Sequence, residues 1–319
     1  MTSVNTSFNY AEVKKAIART IVFFDIFNYP LSTYELWRCL NVACDFKELQ
    51  NSLPQLCRDE FADKIETYNG FYFLAGRKEI LKQRNDFYNL ANQKHKIARR
   101  GAKILRFLPG VKMVAIGNNF YYHDSSDIDL FIVVAAGRLW LLRSLITIII
   151  HACGLRRHGK KVANRLCLSF YVSEDNENLS NLTLMEDPYF YYWLSFLIPL
   201  YSEGKYYQHF WEVNNWIMAK LPNSSDLGLE YARNVRDNFF FRGVRQILAG
   251  LIFSKFGARL EKTFKKIQLR KMASNVSSLA KEKDTRVIIS DSVLKFHEND
   301  RREQFLNNLN KRYEEIFGA

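Results

Sequence analysis

The chain has 319 residues, enough for about two domains with a self-sufficient core, so it needs neither disulfides nor structural metals to fold. Hydrophobic residues at 48% and charged residues at 25% exclude a disordered, collagenous or coiled-coil protein. The net charge of +13 points to an anionic partner or substrate and says nothing about fold.

The first 76 residues read as three short helices and a hairpin. Residues 11–27 place Val13, Ile17, Ile21 and Phe24 at helical spacing, and Tyr29-Pro30 stops them. Ser32-Thr-Tyr-Glu35 is a capping box for a helix through Leu40, and Asp45 caps a third helix to about Cys57, with Pro54 near its end. Two strands then flank Asn69-Gly70, a type I′ turn signal. Three helices and a hairpin predict a winged helix over 1–76. Its net charge of −2 argues against DNA binding and for a docking or structural role.

Residues 77–110 predict one basic connecting helix, stopped by Pro109-Gly110. Strands follow at 111–116 and 127–134, a helix at 137–153, and a strand at 162–172. Together 111–182 predict a compact α/β core. From 183 to 319 the pattern turns mainly helical: 189–201, 206–221 and 226–272, then a strand at 286–289 and a helix at 300–317. The fold class expected is α/β of the α+β kind, a mixed sheet with flanking helices between a winged helix and a helical C-terminal region.

The excess charge is segregated. Residues 77–110 hold 10 basic and 2 acidic side chains, and 137–165 hold 7 basic and none acidic. Both flank a segment with net charge −2. Solvated helix faces account for such runs, and so does a cationic rim that takes phosphates or nucleic acid. The five cysteines have no C-x-x-C spacing and predict reduced thiols. The start of the chain has no signal-peptide pattern, and the most apolar stretch, 139–155, contains Arg143 and His151. A cytoplasmic protein without a membrane segment is expected.

The chemistry is concentrated in 113–133. A strand ends in Gly117; ten residues on, Asp127-Ile-Asp129 opens the next strand. Residues i and i+2 of a strand face the same way, so both carboxylates enter one space. Two hard oxygen ligands at a sheet mouth suit Mg²⁺ with a triphosphate. Gly117 permits close backbone approach, and Asn118, Ser126, Arg138 and Arg143 are candidates to hold phosphate. This segment resembles the nucleotidyltransferase superfamily that includes DNA polymerase beta, whose motif is strand, Gly-Ser, about ten residues, Asp-x-Asp. Uncharacterised bacterial members also place a winged helix before this domain.

The resemblance implies metal binding and catalysis by Asp127 and Asp129, with an NTP as substrate and an unknown hydroxyl as acceptor. Two positions depart from the family: Asn118 stands for the motif serine, and 166–172 lacks the third carboxylate, with Ser169 at the expected place and Glu174 and Asp175 just beyond. Three functions stay open: a transferase, a catalytically degenerate regulator that binds nucleotide or nucleic acid, and a scaffold that binds other proteins.

Overall fold

The computed structural model describes residues 10–117, 122–224, 235, 239–274, 285–297 and 299–318. Its architecture is mixed α+β, as the sequence predicts.

Helix α1 (Tyr10–Asp25) buries Val13, Ile17, Ile21 and Phe24 along one stripe. The capping box of α2 (Thr33–Cys39) is complete: the Glu35 amide donates to Ser32 Oγ at 3.3 Å, and the Ser32 amide donates back to the Glu35 carboxylate at 3.0 Å. Asp45 caps α3 (Phe46–Asp59), which continues through Pro54 and ends two residues beyond Cys57. Strands β2 (Ile65–Tyr68) and β3 (Phe71–Leu74) are joined by Asn69 and Gly70, both at positive φ as a type I′ turn requires. The two-residue strand β1 (Leu31–Ser32) adds to β3, giving a three-stranded antiparallel sheet of order β1-β3-β2.

Helix α4 (Ile80–Leu105) is the basic connector, shorter at both ends than its charge pattern suggests. It is not a simple solvated face. Arg84 is buried on the Glu35 carboxylate and the Tyr29 ring, and the Lys94 side chain is fully enclosed.

The main sheet runs β7-β4-β5-β6-β9-β8. Its strands are β4 (Val111–Ile116), β5 (Ile128–Val134), β6 (Leu166–Ser173), β7 (Ile198–Ser202), β8 (Val287–Ile289) and β9 (Val293–Phe296). Only β5 and β6 are parallel, linked by helix α5 (Leu139–Ala152); all other neighbours are antiparallel. Alternate residues fill two cores. On one face Val114, Ile116, Leu130 and Ile132 meet α4 and α5. On the other, Met113, Ala115, Phe131 and Val133 share one continuous core with α6 (Pro188–Ser195), α7 (Tyr206–Val213) and the N-terminal helices, closed by α10 (Arg302–Phe317).

Several elements differ from the sequence reading. The aromatic stretch 189–201 is not one helix: α6 ends at Ser195 and β7 follows. Pro199 is tolerated because β7 is an edge strand, with one side free of ladder bonds. Strand β6 starts at Leu166, not 162, because Asn164 turns the chain at φ 58°. Strand β9 is absent from the sequence reading. Within 226–272, residues 226–234 and 236–238 lie outside the described residues, and from Phe239 on there are two helices, α8 (Phe239–Ile252) and α9 (Lys255–Ala273), separated where Ser254 caps Gly257. Among the described residues no helix is long and apolar enough to cross a membrane.

Candidate functional site

The Asp-x-Asp segment is pinned from below. The Ile128 amide donates to the Arg165 carbonyl at 2.9 Å, and the Asn164 amide to the Ser126 carbonyl at 3.1 Å. Lys94 Nζ reaches out of α4 to donate to the same Ser126 carbonyl at 2.6 Å and to Asn164 Oδ1 at 3.1 Å. Burial pulls the Lys94 ammonium below its ordinary value, while the charges of Asp127 and Asp124 oppose that shift. Lys94 thus ties a buried cation to the strand entry that carries Asp127.

Asp127 and Asp129 do point into one space. A carboxylate oxygen of each and Sγ of Cys167 lie within 4.8 Å of one another. The parallel register sets Asp129 beside Cys167, and the register then slips, so that Phe131 pairs with Phe170. The bulge adds a residue to β6, so Ser169, two residues on from Cys167 and on its face, is followed on that same face by Phe170. The Cys167 thiol donates to Ser169 Oγ at 3.3 Å, and Ser169 Oγ hydrogen-bonds His297 Nε2 at 3.0 Å. Burial and then the charges of Asp129 and Asp127 push the Cys167 thiol well up, so it is protonated. The donor set is therefore two hard carboxylates and one neutral thiol. Carboxylates fit Mg²⁺; the thiol adds nothing to its affinity.

Beside the two aspartates the strand β6 presents Cys167 and Ser169, and no carboxylate. Glu174 and Asp175 do not reach back. They follow the far end of β6, where Glu174 accepts from the Ala136 amide at 3.1 Å and pairs with Lys112 at 3.3 Å.

Around the carboxylates opens a cleft of about 1080 Å³. Arg143, Arg156, Arg157, Lys295, Arg301 and Arg302 all line it, and of these Arg157 stands on the aspartates. Arg157 Nη1 donates to Asp127 Oδ2 at 2.7 Å and lies 3.8 Å from Cys167 Sγ. Burial draws the Arg143 guanidinium below its ordinary value; it lies over the Phe296 ring and donates to Gln268. The far wall is held by buried ion pairs: Arg302 with Asp187 at 2.6 Å, and Lys295 with Asp300 at 3.0 Å. Beside them the imidazole of His297 is pushed down to about 3, by burial first and by Lys295 second, so it is neutral across the physiological range. Tyr189 and Phe305, stacked at 5.2 Å, add an aromatic face.

The remaining sequence candidates fare differently. Gly117 is buried, and its amide donates to the Asp129 carbonyl at 3.0 Å. The close approach it permits is to a side chain: a Cβ there would sit 2.5 Å from Trp193 Nε1. Asn118 lies outside the described residues. The Ser126 hydroxyl donates to the His123 carbonyl at 2.9 Å and serves the turn. Arg138 is a correction. It follows the opposite end of β5, donates to the Ile252 carbonyl at 2.7 Å, and is not among the cleft residues. A β-strand carries its two ends to opposite edges of the sheet, so proximity in sequence misleads here.

Cys167, Lys94, Trp193 and His297 are the site residues that sequence reasoning missed. The charge pattern carried a signal for Lys94, within the basic segment 77–110, and for Arg157, within 137–165. Comparison with protein-family models, with curated proteins and with solved structures gives no match.

Proposed function

We propose that this chain transfers a nucleoside monophosphate from an NTP to an acceptor hydroxyl, with Mg²⁺ held by Asp127 and Asp129. The observation that carries the reading is the convergence of these carboxylates in a cleft that Arg143, Arg156 and Arg157 also line. Mg²⁺ takes one or two carboxylates and fills its other positions with water and phosphate oxygens, and when bound it neutralises charge at the transferring phosphate. Arg157, which pairs with Asp127, would be positioned to take a phosphate oxygen once Asp127 served a metal ion, and Arg156 and Arg143 add positive field to the cleft. Ser169, oriented by the neutral His297 ring, presents its hydroxyl beside the carboxylates. Lys94 and the Asp129–Gly117 bond keep the strand entry from shifting.

The test is pyrophosphate release from each of the four NTPs with Mg²⁺. Asp127→Asn and Asp129→Asn should each abolish it while the fold is kept; turnover that survives both substitutions rejects the reading.

A second reading is favoured by one observation: a protonated Cys167 stands beside the aspartates where a third carboxylate would complete the metal site. On that reading the domain binds Mg²⁺–NTP as a regulator without transfer. It predicts a Mg²⁺-dependent NTP thermal shift without pyrophosphate.

A further inference from the structure

Helices α8 and α9 form a hairpin whose surface has a character of its own. Between Phe239 and Ala273 stand nine Lys or Arg and one acidic residue, Glu261. The Glu261 carboxylate is already used, accepting the Trp140 amide at 3.0 Å and the Leu141 amide at 2.7 Å at the start of α5. At the hairpin tip Ile247 is 78% exposed, Leu251 61%, Phe256 58% and Phe253 48%, with Leu248 beside them at 36%. Single exposed apolar residues need no explanation, but five within ten residues make a patch.

The arrangement is amphipathic. Leu251 lies one helical turn beyond both Ile247 and Leu248, so the three share a face of α8. On α9, Lys255, Arg259, Lys262 and Lys266 recur at helical spacing and are all exposed. Ser254, capping the Gly257 amide at 3.2 Å, sets the turn between the helices.

We propose that this tip docks on an anionic lipid bilayer. Ile247, Leu251, Phe253 and Phe256 enter the boundary between headgroups and acyl chains, and the α9 cations meet the lipid phosphates. Charge selects this occupant. A second copy of the chain would set like charges face to face, and nucleic acid would satisfy the cations but leave the apolar side chains in water. No described helix can cross a bilayer, so the mode is surface binding. The tip adjoins Arg138 and Gly110, where β5 ends and β4 begins. The aspartates stand where β5 begins, so docking does not compete with the cleft.

The test is co-sedimentation of the full chain with vesicles of phosphatidylcholine, with or without phosphatidylglycerol. Binding is expected to need phosphatidylglycerol, to weaken with salt, and to fall more than about tenfold in Leu251→Asp/Phe256→Asp. A second variant, Lys255→Gln/Arg259→Gln, should weaken it with the apolar side chains intact. Both pairs are exposed, so circular dichroism and melting should match the wild type. Three results would overturn the proposal: no binding to the anionic vesicles, equal binding of the Leu251/Phe256 variant, or a wild-type dimer that this variant converts to monomer.

Discussion

Adding one methyl group at Gly117 tests how the motif glycine is used. A Cβ there would lie 2.5 Å from Trp193 Nε1 and 3.0 Å from Cε2, so the indole must retreat by about 1 Å to reach ordinary contact. It has nowhere to go. Trp193 is stacked on Phe190 at 5.4 Å and on Phe170 at 5.5 Å, and Phe131 meets it edge-on at 5.6 Å. Overpacking of a well-filled core costs about 1–3 kcal/mol, and the sandwiched ring puts Gly117→Ala at the upper end. With a urea slope of about 3 kcal/mol per molar, the midpoint should fall by about 1 M. The Gly117 amide also holds the Asp129 carbonyl, so divalent-ion affinity should weaken with stability. Trimming the ring with Trp193→Leu should cost less in the Gly117→Ala background than in the wild type. A Gly117→Ala protein within 0.5 kcal/mol of the wild type, an approximate limit for surface-like changes, would refute the packing argument.

Three other outcomes follow from the site. Lys94→Met removes the ammonium that donates to Asn164 Oδ1 and leaves the Ser126 carbonyl with the Asn164 amide as donor. It should cost about 2 kcal/mol in denaturant unfolding and weaken divalent binding although both aspartates remain. Cys167→Asp replaces a protonated thiol by a third carboxylate; calorimetry should find Mg²⁺ bound about tenfold more tightly, and melting in chelator should come earlier because like charges crowd. The depressed His297 imidazole sets a pH dependence. Between its ordinary value near 6.5 and about 3 the unfolded chain takes a proton that the folded chain refuses. Stability should therefore be lost as pH falls below 6.5, and the His297→Gln variant should lose less over that range.

Local rules account for what the sequence made legible. The Ser32–Glu35 box and the Asn69-Gly70 turn are each decided within a few residues and stand as read, and β4 and β5 lie on the apolar runs read as strands, β5 starting one residue later at Ile128. Where long-range pairing decides, the reading fails. β7 lies behind a helix of the same aromatic composition and contains Pro199; only its place at the sheet edge makes it a strand. The four residues of β9 become a strand by pairing with β6 across more than a hundred residues. The site divides in the same way. That Asp127 and Asp129 share a space follows from strand geometry. That Cys167 joins them depends on the parallel register of β5 with β6, and that Lys94 and His297 approach depends on the packing of distant elements. Arg138 misled because the strand between it and Asp129 spans the sheet.

The central claim is that Asp127 and Asp129 jointly hold one divalent ion. Titration of the full chain with Mn²⁺, read by the electron paramagnetic resonance of the free ion, tests it without knowledge of the acceptor. The account predicts one ion bound, tighter with NTP present, and a loss of more than about tenfold in affinity in Asp129→Asn. Equal Mn²⁺ binding by the wild type and Asp129→Asn would contradict it.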